Sequence, residues 1–142
     1  AEQPNPNFLS NFRQQRSPVD IQLTLKSFDT KQVKLSVQTR WLNPQFQQGQ
    51  LWWVIYEDGL EQNISAGENL GRTLKHDGVV RVLKGPYAVS MQQGSIQGEV
   101  AIPANWNTSQ LGLGVFIESP SGNEILQALN VPQPFINQTV KP

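Results

Sequence analysis

From Val19 onward the apolar residues recur at every second position, and after Pro18 no segment of ten or more residues holds a helical period. Val19, Ile21, Leu23 and Leu25 alternate with Asp20, Gln22, Thr24 and Lys26. Val33, Leu35 and Val37 alternate with Gln32, Lys34, Ser36 and Gln38. Successive side chains of a strand point to opposite faces, so each run sets an apolar face on a core and a polar face toward water. Phe28-Asp29-Thr30 supplies a turn between the two runs, which predicts a hairpin. Leu51-Trp52-Trp53-Val54-Ile55-Tyr56 is apolar on both faces, the signature of a central strand covered on two sides. Further strands are predicted over 79–83, 87–92, 95–102, 111–118 and 125–130. Turn signals separate them at Gly85-Pro86, Gln93-Gly94, Pro103 to Asn107 and Pro120 to Asn123. Short antiparallel strands at this spacing predict an all-β fold, a two-sheet antiparallel sandwich of immunoglobulin-like type.

The sandwich is expected over residues 19–131. Residues 1–18 read as an N-terminal arm or linker with a short helix, because Phe8, Leu9 and Phe12 fall at helical spacing and can dock on a neighbouring surface. Pro18 ends any such helix, since the residue before a proline is pushed toward extended geometry. Pro132 and Pro134 cannot donate to a ladder, so residues 132–142 read as a flexible tail. The start at Ala1-Glu2-Gln3-Pro4 reads as a processed mature terminus or an artificial boundary.

Composition narrows the function classes. The 142 residues carry 11 basic and 11 acidic side chains, and charged residues make up only 15%. A typical soluble chain has about 25%. No polybasic run offers the electrostatic footprint of a nucleic-acid binder. No apolar stretch approaches the roughly 20 residues of a membrane-spanning helix. Without cysteine the chain has no disulfide framework, thiolate zinc site or thiol nucleophile. A neutral, amide-rich, cysteine-free chain points to a periplasmic or secreted protein.

One stretch escapes the alternation. Residues 65–81 concentrate Glu68, Asn69, Arg72, Thr73, His76, Asp77 and Arg81, among them the only histidine, with Gly67, Gly71 and Gly78 interspersed. A long polar excursion between strands is where a β scaffold tends to carry a binding site. The run Gly67-Glu68-Asn69-Leu70-Gly71-Arg72-Thr73-Leu74, then His76-Asp77-Gly78-Val79-Val80-Arg81, resembles the C-terminal region of the domain of unknown function 1223 family. The closing pattern Val115-Phe116-Ile117-Glu118 through Gly122-Asn123-Glu124-Ile125-Leu126-Gln127-Ala128-Leu129 is similar to the same region. The resemblance covers roughly residues 8–131. It implies a secreted bacterial protein whose relatives join a thioredoxin-like domain to a β-sandwich. The thioredoxin-like domain and its paired cysteines are absent here, so no redox activity carries over.

The expected function is therefore a non-catalytic, exported interaction or accessory module, with its contact surface on loop 65–78 and support from Trp41 and Trp52. The partner expected is another periplasmic protein or a thioredoxin-like domain, with no nucleic acid, cofactor or metal. One imidazole with Glu68 and Asp77 is a poor donor set and lacks metal-ligand spacing. A second reading is glycan or small-ligand binding through exposed Trp and amide side chains. Trp52 and Trp53 face opposite ways, so at most one enters the core and the other needs a cover. Trp106, in a loop, is expected to plug an end of the sandwich. A third reading, a hydrolase centred on His76, needs a nucleophile such as Ser65 or Ser90 close by.

Overall fold

The computed structural model describes residues 17–63, 73–131 and 138–140. Two four-stranded antiparallel sheets face each other across one core. The first has the order β10-β1-β2-β7, formed by β1 (Val19–Phe28), β2 (Gln32–Trp41), β7 (Ser95–Ala101) and β10 (Gln138–Val140). The second has the order β6-β3-β8-β9, formed by β3 (Gln48–Glu57), β6 (Val79–Ser90), β8 (Leu111–Glu118) and β9 (Ile125–Val131). A separate two-stranded ribbon pairs β4 (Leu60–Asn63) with β5 (Thr73–His76). The expected all-β sandwich is thus the observed architecture.

The alternation in the sequence is the alternation in space. Val19, Ile21, Leu23 and Leu25 of β1 are fully buried, as are Val33 and Val37 of β2, Leu51 and Ile55 of β3, and Leu111, Leu113 and Ile117 of β8. Each such side chain contributes about 1.5–3 kcal/mol by leaving water. Trp53 fills the middle of the core, with its indole against Gly98 of the facing sheet. A Cβ at position 98 would stand 2.7 Å from Trp53 Cζ2. The buried Trp53 Nε1 meets no acceptor among the described residues.

The β1–β2 turn is built on Asp29, as the sequence predicts. Its Oδ1 accepts from Lys31 N at 2.7 Å and Gln32 N at 2.9 Å, and Ser27 Oγ donates to Oδ2 at 3.3 Å. Those two backbone amides, first Lys31 and then Gln32, hold the carboxyl below its ordinary value of 3.8.

Three expectations differ from the structure. Gly85-Pro86 does not turn the chain: it is a cis peptide inside the continuous strand β6, opposite a register shift between Leu51 and Trp53. A bulge absorbs the proline within an edge strand, so no second strand is needed. The segment read as a tail supplies β10, whose residues Gln138–Val140 pair with Leu25–Leu23 of β1. Within the stretch read as a polar loop, Thr73–His76 is in strand geometry and pairs with Leu60–Asn63, while residues 65–72 lie outside the described residues. Four-residue strands of mixed composition, Leu60-Glu61-Gln62-Asn63 and Thr73-Leu74-Lys75-His76, are too short to show a period of two.

Candidate functional site

The ribbon grows directly out of the second sheet. Strands β3 and β6 are paired as far as Glu57 and Val79, and β4 and β5 resume pairing at Leu60 and His76. Between these pairs lie two facing dipeptides, Asp58-Gly59 and Asp77-Gly78. Gly59 N donates to Asp77 Oδ1 at 2.8 Å, and Gly78 N donates to Asp58 Oδ1 at 2.6 Å. Both glycines have positive φ, +70° and +65°, a backbone region that a side chain disfavours. The two strands therefore clasp each other reciprocally at the neck of the ribbon, each carboxylate replacing a ladder acceptor. A further bond from Asp58 N to Gln110 O, at 3.0 Å, ties the neck to the 3-10 turn Thr108–Gln110.

Beneath the neck lies an ion pair. Glu57 closes β3 on its inner face and is 2% exposed. Arg81 Nε donates to Glu57 Oε1 at 3.0 Å. The guanidinium also lies 5.6 Å from the centroid of the Trp106 ring, within cation–π range. Trp106, half-buried, packs on the core from its loop. The purpose of the ensemble is mechanical: a buried charge is paired, capped and placed where ribbon meets sandwich.

The residues expected to form a contact surface fall into separate places. Thr73 and His76 lie on β5, at register positions opposite Asn63 and Leu60. Asp77 is the clasp residue just described, and Arg81 is committed to Glu57. Glu68, Asn69 and Arg72 lie outside the described residues. Trp41 does not join them. It sits near Gly49, where a Cβ would be 3.3 Å from its Cη2, and its Nε1 donates to Thr39 Oγ1 at 3.1 Å. Gly49 and Glu57 are eight residues apart along β3, about 26 Å, so Trp41 belongs to the opposite end of the sandwich. Trp52 lies between, on the outer face of β3, stacked on Phe116 with centroids 6.4 Å apart. Its Nε1 donates to Glu118 Oε1 at 2.6 Å.

Ser90 is also distant from His76. It ends β6, eleven residues and about 36 Å from Val79, and its hydroxyl accepts from Gln93 N at 3.1 Å. Ser65 lies outside the described residues. The neck residues Glu57, Asp58 and Gly59 escaped the sequence reading. The signal that could have found them is the repeated Asp-Gly dipeptide flanking one excursion.

Comparison with known proteins gives this β-sandwich a family and two structural likenesses. The chain belongs to the family described as protein of unknown function (DUF1223), which matches residues 2–118. No curated protein matches the sequence. Among solved structures it is similar to HBP35 of Porphyromonas gingivalis, with 11% identity and a TM-score of 0.65 over 92% of this chain. The chain spans 46% of that protein, less than half its length. It is also similar to a domain of the outer membrane lipoprotein Omp28 from Porphyromonas gingivalis, with 16% identity and a TM-score of 0.52. That match covers 87% of this chain and 91% of the other. At such identities the likeness is one of fold. No helix among the described residues is long and apolar enough to cross a membrane.

Proposed function

We propose that the chain is a non-catalytic interaction module of an exported protein, and that it makes its contacts through the stretch 65–78, whose described part joins the β4–β5 ribbon. The observation that carries this reading is the reciprocal Asp58–Gly78 and Asp77–Gly59 clasp. It fixes a polar two-stranded projection that lies in neither core sheet, and a contact loop needs that preorganisation to spare ordering entropy on binding. The carboxylate next to His76, that of Asp77, is engaged with backbone, and Ser90 stands at the far end of β6. Both facts favour a binding role over a hydrolytic one. The outer membrane lipoprotein domain that shares the fold supports an exported setting.

The test is affinity capture from periplasmic extract with the unmodified chain, Arg72→Ala and His76→Ala, after thermal melts establish equal folding. Loss of a partner in the two variants is expected. The same partners at the same yield in all three would overturn the reading. The glycan alternative narrows to Trp52, because Trp53 is buried, Trp41 bonds Thr39 and Trp106 lies under Arg81. Tryptophan fluorescence titrated with cell-wall fragments tests it, and a response unchanged in Trp52→Phe would exclude that residue as the platform.

A further inference from the structure

Gln-Gln-Gly occurs twice in the chain, at Gln47-Gln48-Gly49 and at Gln92-Gln93-Gly94, and the fold brings the two copies together. The first leads into β3 and the second follows β6, whose last residue Ser90 pairs with Gln48. Met91 N donates to Gln47 O at 3.1 Å, which ties the two loops directly. Both glycines sit where a side chain would not fit. A Cβ would stand 2.6 Å from Glu118 O at position 49 and 2.8 Å from Thr39 Oγ1 at position 94. The loops therefore lie close on neighbouring strands, and their glutamines are exposed. Between them, at the end of the sandwich opposite the ribbon, runs a cleft of two adjoining lobes of about 520 Å³ and 300 Å³ that share Gln48, Ser90 and Pro120. Each lobe is within the roughly 300–1,000 Å³ of small-ligand sites.

We propose that this cleft binds a neutral oligosaccharide, at a site separate from both the ribbon and the Trp52 platform. No ionisable side chain lines either lobe. A charged ligand would lose its hydration there with nothing to offset the cost. The walls are fastened by two of the glutamines: Gln47 Nε2 donates to Pro44 O at 3.1 Å, and Gln50 Nε2 donates to Pro120 O at 2.7 Å. The side chains of Gln45, Gln48 and Gln92 hold no such bond among the described residues. Each brings two donors and a two-lone-pair acceptor to the lining. Sugar hydroxyls also donate and accept, so the two sets match group for group. Phe46, half-buried against the core, lines the larger lobe and offers an apolar ring to the C–H face of a pyranose. A peptide fits less well, because the backbone groups that an added strand would pair with are already used. Ser90 N donates to Gln93 O at 3.0 Å, and Gln93 N donates to Ser90 Oγ at 3.1 Å.

The test is titration of the full chain with maltotriose, cellotriose and chitotriose, read by the side-chain amide resonances of isotope-labelled protein. At least one trisaccharide should shift the Gln45, Gln48 and Gln92 side-chain signals saturably. Its affinity should be the same at low and high salt, because no charge is there to screen. Gln48→Ala combined with Gln92→Ala, at an unchanged melting temperature, should weaken binding roughly tenfold. Trp52→Phe should leave binding intact, and so should His76→Ala, which keeps this result separate from that of the ribbon. Absence of a saturable shift with all three sugars would overturn the proposal, as would affinity that survives the paired glutamine substitutions. Binding lost in Trp52→Phe would move the sugar to the outer face of β3 and overturn the cleft assignment. Tighter binding of an uncharged peptide such as Gly-Pro-Gln-Pro-Gly would assign the cleft to a protein ligand instead.

Discussion

Arg81 and Glu57 give the sharpest test of how the ribbon is rooted. Replacing Arg81 by Met removes the partner of a carboxylate that is 2% exposed and leaves that charge in the core margin. Breaking a buried pair on one side costs about 3–5 kcal/mol. The Arg81 side chain is 28% exposed, so water screens part of that cost, and roughly 2–3 kcal/mol is the fitting range. Loss of the guanidinium from the Trp106 ring adds about 0.5 kcal/mol. Unfolding entropy of about 2 cal/mol/K per residue gives ~0.3 kcal/mol/K for a chain of this length. The melting temperature should therefore fall by about 10 °C. The assay is urea unfolding of the unmodified chain, Arg81→Met, Glu57→Leu and the double variant as a cycle. Arg81→Met alone should be worse than the double variant, with a coupling of about 2 kcal/mol, because an apolar pair leaves no orphaned charge. A coupling indistinguishable from zero would refute the argument that Arg81 serves the fold.

Three further outcomes are expected. Gly98→Ala places a methyl 2.7 Å from the buried Trp53 ring and should destabilise by about 1–3 kcal/mol, with a changed near-ultraviolet tryptophan dichroism; an unchanged melt would mean the indole has room to yield. Asp58→Ala with Asp77→Ala should speed hydrogen exchange at the Gly59 and Gly78 amides while leaving core amides of β8 protected, and uniform loss of protection would show that the clasp holds more than the ribbon. Asp29 has a lowered folded pKa, so its stabilisation is complete above the ordinary value of 3.8 and is lost as pH falls through the lower folded value. Asp29→Asn should flatten the stability profile in that acid window alone, and an unchanged acid limb would remove Asp29 as its source.

How much of this was legible in sequence depended on whether a residue's partner was local. Val19 to Leu25 and Val33 to Val37 announced their strands because burial on one face imposes a period of two. Asp29 announced its turn because its acceptor serves amides two and three residues away. The ribbon stayed hidden because its described strands are four residues each, too short to show a period. The Glu57–Arg81 pair spans 24 positions, and Arg81 looked like a surface cation until the β3–β6 register set it under the neck. Trp41 looked like part of the same surface as Arg72, yet it belongs to the other end of β3. Gly85-Pro86 carried a turn signal, and a bulged edge strand accommodated it without turning.

The reciprocal neck also fixes the orientation of whatever it carries. Sliding either strand by one residue would break both carboxylate bonds at once and turn every side chain beyond to the opposite face. The clasp thereby holds the β4–β5 pairing of Leu60 with His76 and Asn63 with Thr73 in a single register, like a bit held in a chuck.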